Sequence, residues 1–104
     1  MQMPLLSADG KQFTLLRIEL APGTGNDGTA PGHRHPSDTI VFVESGTVTN
    51  RMNDDEVKIF QTGEYWHEAP NDLHAVFRNN DPEIPASVIV FMVNDSDQPL
   101  TVGE

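Results

Sequence analysis

No cysteine occurs in the 104 residues, so a disulfide framework, a thiolate metal site and a cysteine nucleophile are all excluded, and any metal must rest on histidine or carboxylate. Basic residues are scarce: six Lys and Arg stand against sixteen Asp and Glu, a formal net charge of -10. Nucleic-acid binding needs Lys and Arg to neutralise phosphates, and anionic membranes attract basic surfaces, so neither is expected as a partner. Long apolar runs are also missing. None approaches the ~18 residues of a membrane span, and the opening MQMPLLSADG has no charged and then apolar leader pattern. The cytoplasm is the simplest address, and without a leader the acceptor-like Asn94-Asp95-Ser96 is not expected to carry a glycan.

Helical periodicity is the last absence, and it leaves strands. A chain of 104 residues has material for one core, since a second would need roughly 50 to 100 residues more. We therefore expect one domain over residues 1–104, with its core at about 13–93 and an acidic, poorly buried tail, NDSDQPLTVGE. With 37% hydrophobic and 21% charged residues, the chain is somewhat poor in apolar material, which suits a small barrel whose strands show one face each to the core.

FTLLRIELA, from Phe13 to Ala21, reads as a first strand closed by Pro22-Gly23. GTGNDGTAPG then reads as a loop; its glycines are not followed by the Lys-Ser/Thr of a phosphate cradle. TIVFVESG is β-branched and apolar and breaks at Ser45-Gly46, TVTNRM returns, and VKIFQT and EYWHEA make another hairpin around Gly63. Leu73–Phe77 and Ala86–Val93 supply the last apolar segments, parted by RNNDPEIP. Six to eight short strands with turns every ten or so residues point to an all-β sandwich or barrel.

Three of the four histidines form a pattern. His33 and His35 are two apart, so on an extended segment their side chains share a face, and His74 arrives one hairpin later. Three neutral imidazoles suit one divalent transition metal (Fe, Mn, Ni, Zn or Cu) and leave positions open for water or substrate. By strand parity Asp38 turns away from the histidines, and His67 faces opposite Glu68. Two positions are open to Glu68: beside the metal as a general base or occasional fourth ligand, or the surface or dimer rim, the simpler of the two. Trp66 is either core or pocket lining. Arg34 is expected outside, between the histidines, and Arg78 is either a substrate clamp or a surface charge.

These residues resemble the cupin family. Its first motif runs Gly, five residues, His-x-His, three or four residues, Glu, six residues, Gly; here HRHPSDTIVFVESG spans His33 to Gly46, with Thr39 where the Glu should stand and Gly28 one residue too close. The second motif runs Gly, five residues, Pro-x-Gly, two residues, His, then Asn; GEYWHEAPNDLHAVFRN supplies Gly63, His74 and Asn79, with Ala69 for Pro and Asn71 for Gly. Asn tolerates the left-handed backbone that such a Gly adopts. The resemblance implies a double-stranded β-helix, or jelly-roll barrel, with His33, His35 and His74 as metal ligands in its mouth. Thr39, unable to replace a carboxylate, leaves a three-histidine site.

Because cupins host many chemistries, the site must decide the function. We expect a metal-dependent, dioxygenase-type enzyme for an enolic or diketone-like small molecule, as in quercetinase-like cupins. Glu68 would accept the substrate proton, and Trp66, Phe77 and Thr39 would line the pocket. The alternatives are a non-redox isomerase or lyase acting on a sugar acid or similar anion, and a ligand-binding or sensory module without turnover. A homodimer is expected in each case, because open sheet edges need cover.

Overall fold

Alternation along one strand sets the architecture. In Ser37–Ser45, the side chains of Ser37, Thr39, Val41 and Val43 are buried, whereas Asp38, Ile40 and Phe42 face out. The computed structural model describes residues 1–104, and all its regular elements are strands: β1 (Gln2–Pro4), β2 (Lys11–Leu20), β3 (Gly25–Asn26), β4 (His33–Arg34), β5 (Ser37–Ser45), β6 (Thr47–Met52), β7 (Lys58–Gln61), β8 (Tyr65–Glu68), β9 (Leu73–Asn79), β10 (Ala86–Asp95) and β11 (Val102–Gly103). No helix is long and apolar enough to cross a membrane.

The strands form two antiparallel sheets, one in the order β1-β2-β10-β5-β8, the other β11-β4-β9-β6-β7 with β3 added beside β9. This is the all-β, double-stranded β-helix expected from the sequence. Val41, Val43, Val88, Val90 and Met92 from one sheet meet Val48 from the other, and Trp66 and Ala86 complete the buried cluster. Each valine fully withdrawn from water contributes about 1.5 to 3 kcal/mol, so this small cluster is the main stabilising element of a chain with few apolar residues.

The turn between β5 and β6 depends on Gly46. Its φ is +79°, and an added Cβ would lie 2.9 Å from the Cα of Ala86, so only glycine allows the hairpin to pack there. Asn71 takes the left-handed φ of 66° expected for the residue replacing the motif glycine.

Ahead of the expected core, β1 pairs with β2, Met3 opposite Phe13, and stays exposed. Two expectations need correction. The acidic tail is partly built into the fold, because β10 runs on through Asp95 with Asn94 buried, and β11 pairs with β4. Asn94 accepts a hydrogen bond from Thr14 Oγ1 at 2.9 Å inside the sheet, so it is closed to glycosylation. The expected loop over residues 23–32 contains β3, and β4 follows directly after it; both are two-residue strands whose pairing partners lie far away in the chain.

Asn79, the motif asparagine, is fully buried and closes the bottom of the barrel. Its amide donates to the carbonyls of Leu20, Ala21 and Ile84, at 3.2, 3.4 and 2.7 Å, and its Oδ1 accepts from Asp81 N–H at 2.8 Å. The Ala21 carbonyl keeps Thr24 as a donor, so the loss falls on the bonds to Leu20, Ile84 and Asp81 around a fully buried side chain, and removing a buried hydrogen-bonding group costs about 1 to 3 kcal/mol. Asn79→Ala is therefore expected to lower unfolding stability by about 2 kcal/mol, read as a reduced urea midpoint with unchanged slope.

Candidate metal centre

His33 and His74 are direct cross-strand partners on β4 and β9, so their rings leave the sheet on the same side. The approach of these strands is close: a Cβ on Gly32 would lie 2.5 Å from the His74 carbonyl oxygen. His35 follows just past the end of β4, and its ring stands 4.8 Å from that of His33, which is 4.9 Å from that of His74. Glu68, at the end of β8, enters from the opposite sheet with 2% of its surface exposed. The interior position is therefore the one it takes, not the surface or dimer rim.

Hydrogen bonds fix which nitrogens face inward. Asn50 Oδ1 accepts the His74 Nε2–H, leaving Nδ1 with its lone pair 3.3 Å from His33 Nε2 and 3.5 Å from Glu68 Oε2. The Leu100 carbonyl lies 2.7 Å from His35 Nδ1 and accepts its proton, turning Nε2 toward Glu68 Oε1 at 3.8 Å. Glu68 Oε2 accepts the Trp66 indole N–H at 2.8 Å, whereas Oε1, fully out of water, has no hydrogen-bond partner.

Burial governs the charges. It pulls His74 down to about 3, helped by any positive charge on His33 and His35. It also lowers His33, with His35 adding to the effect. Glu68 is raised, chiefly by burial, against the opposing bond from Trp66. With His74 Nδ1 unprotonated, His33 Nε2–H donates to it in the metal-free protein, whereas His35 Nε2 and Glu68 Oε1 are left without a donor, an arrangement a cation would relieve by displacing the His33 proton.

Donors on one ion with N bonds of about 2.0–2.1 Å stand roughly 3 Å apart; the observed separations run from 3.3 to 3.8 Å. The residues fit a divalent transition metal in chemistry and direction. No group of three or more of these side chains stands close enough to hold an ion as it is, so the cluster must close on a metal to bind it.

A cavity of about 310 Å³ opens over the cluster. Leu16, Ile18, Val41, Val90 and Met92 form one wall, and Phe77, Leu100 and Thr101 the other. No lysine or arginine reaches it; Arg34 donates to the Asn71 carbonyl at 2.8 Å and Arg78 to that of Gly23 at 3.5 Å. Phe77 stands where the sequence placed it. Trp66 and Thr39 do not reach the cavity wall: the indole packs on Phe60 at 4.7 Å behind Glu68, and Thr39 is fully buried beside Ser37 Oγ at 3.1 Å. Asp38 and His67 face each other outside at 3.2 Å.

The sequence reading missed Asn50 and the tail residues Leu100 and Thr101. Asn50 had a signal: it is a polar residue at the inward parity of β6, in line with Val48. Leu100 had none, because its role is a backbone carbonyl.

A family model described as the Cupin domain matches residues 16–93. The chain belongs to the cupin family. No curated protein sequence matches it, but solved cupin structures do. The DMSP lyase DddQ from Ruegeria pomeroyi superposes with a TM-score of 0.68 at 18% identity over 91% of this chain and 43% of its own. An oxalate oxidase gives 0.67 at 23% over 89% of this cupin and 45% of its own chain, and a cupin-like protein from Thermotoga maritima gives 0.70 at 17% over 91% and 65%. This cupin thus spans less than half the length of the two enzymes, and at such identities the likeness shows the fold.

Two outcomes follow from the geometry. In the metal-free cupin, His74 stays neutral when folded but takes a proton near 6.5 when unfolded, so stability is full above that pH and falls between 6.5 and about 3 by up to ~1.4 kcal/mol per pH unit. Glu68, raised when folded, has the opposite sign. Denaturant titrations at stepped pH should therefore show a flatter acid slope in His74→Gln and a steeper one in Glu68→Gln. Removing residues 100–104 takes away the carbonyl that holds the His35 ring, and metal affinity measured by dialysis should drop about 10- to 100-fold.

Proposed function

We propose that this cupin is a metal-dependent enzyme of the dioxygenase type, acting on a small, largely apolar molecule with an enolic or diketone-like oxygen pair. The observation that carries the reading is the cavity itself: donors converge at one end, and the walls are aliphatic and aromatic without a cationic side chain. His33, His35 and His74 would hold the metal, iron first among the candidates. When bound, it supplies a Lewis-acid anchor for substrate oxygens and, if redox-active, access to O2.

The chain's residues do the rest. Leu16, Ile18, Val90 and Met92 take the apolar body of the substrate and exclude water. Glu68 is the one carboxylate in the wall, and its raised proton affinity suits it to accept the proton of an acidic enol. Phe77 lies against the His74 ring, centroids 5.0 Å apart, and limits where the substrate can sit. A sugar acid fits poorly, because Thr101 offers the one hydroxyl along these walls and no cationic side chain would meet its carboxylate.

A homodimer belongs to the same proposal. On the outer face of the β5–β8 pair, exposed Phe42 lies opposite exposed Tyr65, and Ile40 opposite His67. Such an apolar strip supports packing of two sheet faces more than packing of edges.

Elemental analysis of purified wild-type protein beside His35→Ala tests the reading. About one equivalent of iron is expected in the wild type and almost none in the variant, with the strand signature in circular dichroism unchanged. Oxygen uptake with enolic and diketone substrates should then require the metal. Full metal retention in His35→Ala, or turnover that persists without oxygen, would count against it.

A further inference from the structure

The first motif has lost its glutamate, yet the barrel contains a buried carboxylate at the same height. Thr39, which stands at the motif position, and Glu68 are direct Cα partners across the β5–β8 ladder. Paired residues on adjacent strands project from the same face of the sheet with neighbouring Cβ atoms. Both are interior: Thr39 is 0% and Glu68 2% exposed. A carboxylate moved from one to the other thus reaches the same space from one strand further along.

We infer that Glu68 is the displaced fourth metal ligand, transferred across the ladder from β5 to β8, so that the site is three histidines and a carboxylate despite Thr39. This rests on the metal-centre reading above and deepens it. Oε1 is buried without any hydrogen-bond partner, the condition of a ligand atom whose ion completes its bonding. It faces His35 Nε2 at 3.8 Å, and Oε2 lies 3.5 Å from His74 Nδ1. The Trp66 indole N–H holds Oε2 at 2.8 Å and so aims Oε1, the support that ligating carboxylates commonly receive.

Thr39 has been accommodated accordingly. Its hydroxyl is engaged by Ser37 Oγ at 3.1 Å, and its small side chain leaves room for the longer Glu68. Ligation does not conflict with proton transfer. Glu68 would hold the ion through Oε1 and, in the open form, would be placed to accept the proton of an acidic substrate oxygen.

The test uses Co(II), whose visible spectrum reports ligand type and number, with affinity from equilibrium dialysis. Glu68→Gln, close in shape, and Glu68→Thr are expected to weaken binding by about 100-fold and to change the spectrum. The exchange Thr39→Glu with Glu68→Thr should restore affinity to within about tenfold of wild type and bring the spectrum back, which a merely structural role for Glu68 would not do. Wild-type affinity and spectrum in Glu68→Gln would overturn the inference, as would a folded exchange variant that binds no better than Glu68→Thr. If the exchange variant does not fold, Glu68→Gln decides alone. His33→Ala and His74→Ala separate the two levels: metal lost there but kept in Glu68→Gln leaves the three-histidine reading standing, whereas metal kept in both removes the reading beneath.

Discussion

The Glu68 carboxylate is enclosed by both sheets, with one oxygen on the Trp66 indole and near His74 Nδ1 and the other facing His35 Nε2 without a donor. Burying such a group in a small apolar core is unfavourable unless a positive charge or a proton accompanies it. Much of the surrounding structure serves that condition. Asn50 and the Leu100 carbonyl take the outer N–H groups of His74 and His35, so that bare nitrogens turn inward. The outer N–H groups of these two histidines and one carboxylate oxygen are thereby paired, which leaves Oε1 as the group without a partner.

How much was legible in the sequence depends on whether the signal was local. β5 could be read because its alternation, in a chain segment of nine residues, is driven by burial of one face. The His33 and His35 pair could be read for the same reason, since spacing by two is a statement about one extended backbone. β3, β4 and β11 could not, because each has two residues and exists only through a partner distant in sequence. β1 likewise has no pattern of its own.

Glu68 and Trp66 illustrate the harder case. Parity tied them to one face, but the two faces of β8 carry similar signals: Tyr65 and His67 on one, Trp66 and Glu68 on the other. A carboxylate on the inner face contradicts the usual sorting of charge to the surface, and only the pairing of β8 with β5 decides it. Conflicts of this kind between local preference and final position are expected where a fold carries a functional site. The likeness to the lyase and oxidase structures shows the barrel; the aliphatic walls without a cationic side chain are read from this cavity itself.

The tail ties the cavity wall to the histidine cluster. Leu100 contributes its side chain to the wall and its carbonyl to His35, and β11 anchors the segment on β4 beside His33. One residue thus couples the shape of the cavity to the orientation of an imidazole: Leu100 cannot shift at the wall without also shifting the acceptor of the His35 ring.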